Sequence, residues 1–382
     1  MASPVIPSTA RNAEPAQRCR RCIMDTSDPD IRFDAAGICH HCHAYDEAVR
    51  TRVVTGAEAV RAREDLAAEI RKAGEGKPYD CIIGISGGVD STYVAYAVKK
   101  LLGLRPLAVH LDNGWDSELA VKNIEHVLNK LGIELFTEVL DWDEFRDLQL
   151  AFLRASTPDS EIPTDHAIVS VLYQQARRHR VKYILSGCNV RTESHLPPAW
   201  SRGHSDWRYI QALQKQFGTR PLKTFPHRNM FNLVWDARTI HWVDILNYLD
   251  YRKADALKVL QDELGWQYYG GKHYESIYTR FYQGYILPNK FGFDKRKMHL
   301  SSLVCSGEMT RDEALAELDK PPYPEDLQAA DREYVVKKLG ITDAELEAIM
   351  RAPPKRFEDY PSYENSRFVR IARNVRSRLS FK

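Results

Sequence analysis

The chain has no apolar run approaching the ~20 residues that span a bilayer. Its start, Met1 to Pro15, is polar and rich in Pro and Ala, without the apolar centre of a signal peptide. Both absences point to a cytoplasmic protein with no membrane partner. Charge of one sign is scarce too. A net charge of +2 over 382 residues argues against a protein whose main task is to coat nucleic acid, which needs many uncompensated Lys and Arg. Cysteine is sparse and uneven: of seven, four form two Cys-x-x-Cys pairs near the start, and Cys81, Cys188 and Cys305 are scattered. That pattern excludes a secreted disulfide framework. There is no internal repeat and no Gly-Lys-Ser/Thr ending of a Walker loop. What remains, 43% hydrophobic and 28% charged, is the composition of a soluble globular protein, long enough for one large or two ordinary domains.

Residues 1–17 read as a disordered leader, 18–46 as a Cys/His module and 47–76 as a linking helix. Gly74, Gly76 and Pro78 then break the helical pattern. Tyr79–Ile85 is a short apolar run, read as a buried strand. A helix follows, with Val94, Ala97, Val98, Leu101 and Leu102 at helical spacing. Leu107–Leu111, Ile133–Val139 and Tyr183–Leu185 read as strands; Ser117–Leu131 and Asp165–His179 read as helices. Strand–helix alternation with short connections implies an α/β fold with a parallel sheet covered on both faces, over residues 77–235. Ligands in such folds bind beyond the carboxyl ends of the strands, here Ser86, Asp112 and Ser186. From about Ile240, residues 236–382 read as a helical substrate or partner region, ending in an Arg-rich tail.

The most specific motif is Ser86-Gly87-Gly88-Val89-Asp90-Ser91, set between a strand and a helix. Glycines let the backbone turn sharply and bring its N–H groups close to a ligand. Those groups and the helix N-terminus favour an anion. Asp90 would be repelled by a bare phosphate, so it implies a bridging Mg²⁺. The motif resembles the signature of the PP-loop ATP pyrophosphatases, the adenine nucleotide alpha hydrolase-like fold. In that superfamily the loop grips the leaving pyrophosphate of ATP, a role that falls here on Ser86, Gly87, Gly88, Asp90 and Ser91. The run from Val109 to Gly114, with Asp112, matches the place of the adenosine. Ser186-Gly187-Cys188-Asn189 matches a later loop near the nucleotide.

Cys19-x-x-Cys22 and Cys39-x-x-Cys42 have the spacing of a four-thiolate zinc knuckle. Asp34 and Gly37 supply turn chemistry between the halves. His40, His41 and His43 are spare ligands, and an iron–sulfur cluster is the alternative occupant. With no evident open position, the site reads as structural.

In the second half, Lys272, Glu275, Thr279 and Arg280 fall at helical spacing, a face suited to phosphates or a polar substrate, or simply to solvent. The set formed by the N-terminal Cys-Arg-Arg-Cys-Ile-Met-Asp-Thr, Cys39-His-His-Cys42, the phosphate loop, Arg202-Gly-His-Ser-Asp206, Gly270-Gly-Lys-His273 and Asp294-Lys-Arg-Lys-Met-His-Leu-Ser301 resembles the N-acetyl sugar amidotransferases of bacterial surface-polysaccharide synthesis. The resemblance covers about residues 18–320. It implies an ATP-dependent enzyme that turns the N-acetyl group of a nucleotide-linked sugar into an acetamidino group through an adenylated intermediate and ammonia. Under that reading, Asp90, Lys272 and Arg280 are catalytic. Asn189, Arg191, Ser194 and Glu275 contact the sugar. ATP, Mg²⁺ and Zn²⁺ are the cofactors.

The nitrogen source is expected to be external. The second residue is Ala2, and Cys188 in Ser-Gly-Cys-Asn-Val lacks the glycine of a nucleophile elbow, so no glutaminase centre can be traced. The resemblance implies separate glutaminase and cyclase-like channel subunits that deliver ammonia. The competing reading is a PP-loop tRNA-thiolation enzyme, which uses the same adenylation to deliver sulfur.

Overall fold

The computed structural model describes residues 17–269 and 274–366. Lys272, the leader before Gln17 and the Arg-rich tail after Ser366 lie outside the described residues. The first helices are α1 (His40–Arg52) and α2 (Gly56–Ala73). The expected linking helix over 47–76 is therefore two helices, the first of which begins inside the cysteine module.

Then come β1 (Cys81–Gly84), α3 (Val89–Tyr96, continued by a π-helical turn to Leu101), β2 (Pro106–Asp112), α4 (Glu118–Leu131), β3 (Glu134–Val139), α5 (Trp142–Ala155), α6 (Ile162–Arg178) and β4 (Tyr183–Ser186). After them lie α7 (Val190–Glu193), α8 (Trp207–Phe217), α9 (Met230–Thr239), β5 (His241–Asp244) and α10 (Lys253–Leu264). The chain closes with α11 (Ile277–Phe281), α12 (Arg296–Ser306), α13 (Arg311–Asp319), α14 (Glu325–Leu339) and α15 (Asp343–Arg351). No helix among the described residues is long and apolar enough to cross a membrane.

The five strands form one parallel sheet in the order β3-β2-β1-β4-β5. Successive side chains on a strand point to opposite faces; on the central strands β1, β2 and β4 both faces are covered, whereas β3 and β5 at the edges stay largely exposed. Leu107, Val109 and Leu111 join Ile82, Ile184, Phe145 and Leu172 in one layer. Ala108 joins Ile83, Leu185, Val94, Val98, Ile124 and Leu128 in the other. Each large apolar side chain removed from water in this way contributes roughly 1.5–3 kcal/mol, which explains why the strands read as unbroken apolar runs.

Helix starts follow local capping chemistry. The Ser117 side chain accepts from Ala120 N at the head of α4, and that of Asp141 from Glu144 N at the head of α5. Helix α5 is absent from the sequence reading although its cap and its buried Phe145, Leu148 and Phe152 were there to be read. Strand β5 also lies outside the 77–235 span expected for this domain, in a stretch read as helical. Four residues, two of them exposed, carry no period, and only pairing with β4 makes them a strand.

Candidate active site at the carboxyl edge of the sheet

Strand order reverses between β1 and β4, because β1 connects to β2 on one side while β4 flanks it on the other. The crevice beyond such a switch point is where open α/β sheets bind ligands. The Ser86–Ser91 loop fills it. Gly87 has φ +81°, and a Cβ there would lie 3.0 Å from the Ala120 carbonyl oxygen, so only glycine fits. Gly187, at the end of β4, has no room either: a Cβ would lie 3.2 Å from the Asp90 carbonyl carbon and 3.3 Å from Ser91 N. The two loops named from sequence thus touch.

Inside the loop, Ser91 Oγ accepts from Ser86 N at 3.2 Å and lies 3.1 Å from Ser86 Oγ. Gly88 N donates to Ser86 Oγ at 3.4 Å. The Gly87 carbonyl is turned away from any anion, because Trp266 Nε1 donates to it at 3.0 Å and Tyr269 OH at 3.3 Å. Tyr251 OH donates to Asp90 Oδ1, which fixes the carboxylate that the sequence assigned to Mg²⁺. Asp112 Oδ1 accepts from Gly114 N at 2.8 Å and shapes the β2 loop. These residues fit an ATP phosphate cradle with a metal-binding carboxylate at its mouth.

Glu275 reaches the same place. Ser117 N donates to its carbonyl at 2.8 Å, and Ile277 N donates to the Trp115 carbonyl at 3.0 Å. A Cβ on Gly88 would lie 3.9 Å from Glu275 Oε1. The other substrate candidates have local tasks. Asn189 caps α7, accepting from Thr192 N at 3.0 Å. Arg191 donates to the Tyr251 carbonyl at 3.3 Å and pairs with Asp250 at 3.3 Å. Ser194 Oγ lies 3.2 Å from His195 Nδ1. Arg280 is bidentate to Asp331 on α14, at 2.7 Å through both Nε and Nη2, and lies over the Tyr274 ring. The guanidinium proposed for the phosphoryl group is thus oriented by a carboxylate.

A second group of polar side chains, which sequence reasoning did not assemble, stands at the head of α6. Helix α6 runs antiparallel to the strand it feeds, so its N-terminus lies at the carboxyl edge; Asn113 Nδ2, just past β2, donates to Thr164 Oγ1 at 3.1 Å. His204 Nε2 lies 3.4 Å from Asp165 Oδ2, 3.5 Å from Asp159 Oδ2 and 2.9 Å from Ser201 Oγ. Burial opposes the charge on His204, but Asp159 and Asp165 outweigh it and push its pKa up to about 9. Surrounding protein lifts Asp165 to about 6, although its side chain stays 49% exposed.

The helical half supplies the rest. Tyr278 OH lies 2.6 Å from Ser160 Oγ, Gln283 Nε2 donates to Glu161 at 2.8 Å, and Lys295 lies 3.7 Å from the same carboxylate. The signal for this group in the sequence is the Arg202–Asp206 and Asp294–Ser301 runs, but only the fold brings them to Asp159.

The four expected cysteines converge. Sγ separations are 3.8 Å for Cys19–Cys42, 3.6 Å for Cys22–Cys39 and 3.7 Å for Cys39–Cys42. A tetrahedron with 2.3 Å zinc–sulfur arms has edges of about 3.8 Å, so the donor set fits Zn²⁺, which would serve there as a structural cross-link. The spare histidines are engaged elsewhere: His41 with Asp28 at 2.7 Å, His43 with Asp34 at 2.9 Å, and His40 Nδ1 with Arg32 N at 3.1 Å. Arg311 donates to the Cys19 and Cys22 carbonyls, both at 3.1 Å, tying the knuckle to the helical half.

A phosphate loop at the switch point of a parallel sheet defines a PP-loop ATP-using domain, and comparison with known proteins agrees. Residues 60–147 match the NAD synthase family, and residues 275–376 match the family described as LPS biosynthesis protein WbpG-like, C-terminal domain. The chain is 24% identical over 272 residues to the uncharacterized protein MJ1599 of Methanocaldococcus jannaschii, covering 69% of this chain and 80% of that protein. Among solved structures it is similar to an NH3-dependent NAD synthetase from Campylobacter jejuni in complex with the nitrate ion, at 14% identity, 74% coverage of this chain, 97% of that one and a TM-score of 0.31. The two family matches set an NAD synthase-type PP-loop segment ahead of a WbpG-like C-terminal domain. This pairing is consistent with the PP-loop amidotransferases of polysaccharide biosynthesis.

Proposed function

We propose that the protein is an ATP-dependent amidotransferase that converts the N-acetyl group of a nucleotide-linked sugar to an acetamidino group during lipopolysaccharide synthesis. The observation that carries this reading is a junction. Glu275, the first residue of the WbpG-like segment, lies against Gly88 of the phosphate loop, and Tyr278, Gln283 and Lys295 of the same segment close over the head of α6. ATP chemistry and a polysaccharide-type module thus share one edge of the sheet.

In the proposed reaction the acetamido oxygen attacks the α-phosphorus of ATP and pyrophosphate leaves into the Ser86–Ser91 loop. Ammonia then adds to the imidate carbon, a proton is lost, and AMP departs with the former acetamido oxygen. Asp90, oriented by Tyr251, would hold Mg²⁺, which when bound neutralises phosphate charge. The backbone N–H groups of the loop stabilise charge on the departing pyrophosphate. The cation expected from Lys272 belongs to the same proposal, as do the separate glutaminase and channel subunits that supply ammonia.

The test is to incubate the chain with ATP, Mg²⁺ and ammonium salt, adding nucleotide-linked N-acetyl sugars or tRNA, and to follow AMP and pyrophosphate. AMP release that requires the sugar, grows with pH as free ammonia increases, and does not occur with glutamine alone is the expected result. Release triggered by tRNA and a sulfur donor would overturn the reading.

A further inference from the structure

Beside the four-cysteine site lies a group of ligands that its geometry does not need. Cys305, on α12, places its Sγ 3.7 Å from Cys42 Sγ and 3.6 Å from His195 Nε2. One donor atom from each of Cys42, His195 and Cys305 lies within 4.8 Å of the others. Cys42 and His195 are fully buried.

The histidine is already oriented. Ser302 Oγ donates its proton to the Met298 carbonyl at 3.0 Å. That Oγ also lies 3.0 Å from His195 Nδ1, where Ser194 Oγ stands at 3.2 Å. In the tautomer that donates from Nδ1 to Ser302, the Nε2 lone pair faces Cys305. A hydrogen bond that fixes the far nitrogen is the usual support of a metal-bound imidazole.

The distances fit as well. Tetrahedral arms of 2.3 Å to sulfur and about 2.05 Å to nitrogen give edges of about 3.8 Å between sulfurs and about 3.5 Å between sulfur and nitrogen. Charge favours a second cation: four thiolates on one dication leave two buried negative charges, whereas five thiolates on two dications leave one.

We propose that Cys42, His195 and Cys305 form a second metal site, sharing the Cys42 thiolate with the four-cysteine site and taking a second thiophilic dication such as Zn²⁺. Its fourth position is left to solvent beside the half-buried Cys305. Because His195 ends the segment that begins at Gly187 against the phosphate loop, this metal ties the turn after α7 to α1 and α12.

The experiment is metal analysis of the full chain after removal of loose ions, with Co²⁺ titration of the metal-free protein. Two zinc ions per wild-type chain are expected, and one in Cys305→Ser with its melting transition retained. Thiolate-to-cobalt absorption should keep rising beyond the first equivalent in wild type and stop there in the variant. One zinc per wild-type chain, or two that persist in Cys305→Ser, would overturn the proposal. The wild-type count decides even if the variant fails to fold.

Discussion

The phosphate loop and the group around His204 sit on the same edge of the sheet and are built in opposite ways. The loop is six consecutive residues whose own backbone makes the cradle. The His204 group is drawn from three distant stretches, at Asp159–Asp165, Ser201–His204 and Lys295. A contiguous site survives as a unit wherever the strand and helix around it form. An assembled site exists only when the two halves of the chain are docked. Substitutions in the loop should therefore change chemistry without stability, whereas those that undo docking should change stability first.

The largest effect is expected in the loop. Asp90→Asn keeps shape and the contact with Tyr251 but loses the charge. AMP formation should fall roughly 10²–10³-fold, the scale for removing one pre-aligned group that stabilises transition-state charge. The melting curve should stay put. A variant that keeps near wild-type turnover would remove Asp90 from the chemistry.

Next comes Asp331→Asn. The Arg280–Asp331 pair is nearly buried, with side chains 12% and 6% exposed. Removing one partner leaves a buried charge uncompensated, which costs about 3–5 kcal/mol. Denaturant unfolding should show that loss, with α11 and α14 loosening together. A change within 0.5 kcal/mol, about the size of an ordinary surface substitution, would mean that the pair holds nothing.

The smallest effect is a slope. His204 has a folded pKa near 9, above its unfolded value of about 6.5. The folded chain thus binds more protons between these values, so stability should be full below about pH 6.5 and decline as pH rises toward 9. His204→Gln should flatten that decline. An unchanged slope would show that the imidazolium and its two carboxylates do not contribute to folding.

What could be read in advance follows the same division. The loop, the strands around it and the two Cys-x-x-Cys pairs are local patterns, and the fold brings Ser86–Ser91 to Gly187 and the four sulfurs together. Cys305 and His195 could not be joined to Cys42 from sequence, because 110 residues separate His195 from Cys305. Asp159 carries no motif of its own. The Arg280 pair was hidden for a related reason: helical spacing put Arg280 on a polar face, but its partner Asp331 lies 51 residues away. Asn189, read at a strand end as a sugar contact, also caps α7.

Whether the acceptor's oxygen is adenylated before nitrogen replaces it can be read from the fate of that oxygen. A nucleotide-linked sugar carrying heavy oxygen in its N-acetyl carbonyl would be turned over with ATP and ammonium, and the products weighed by mass spectrometry. One heavy oxygen is expected in AMP, none in pyrophosphate and none in the amidine. Label appearing in pyrophosphate or remaining in the sugar product would contradict adenylation of the acceptor.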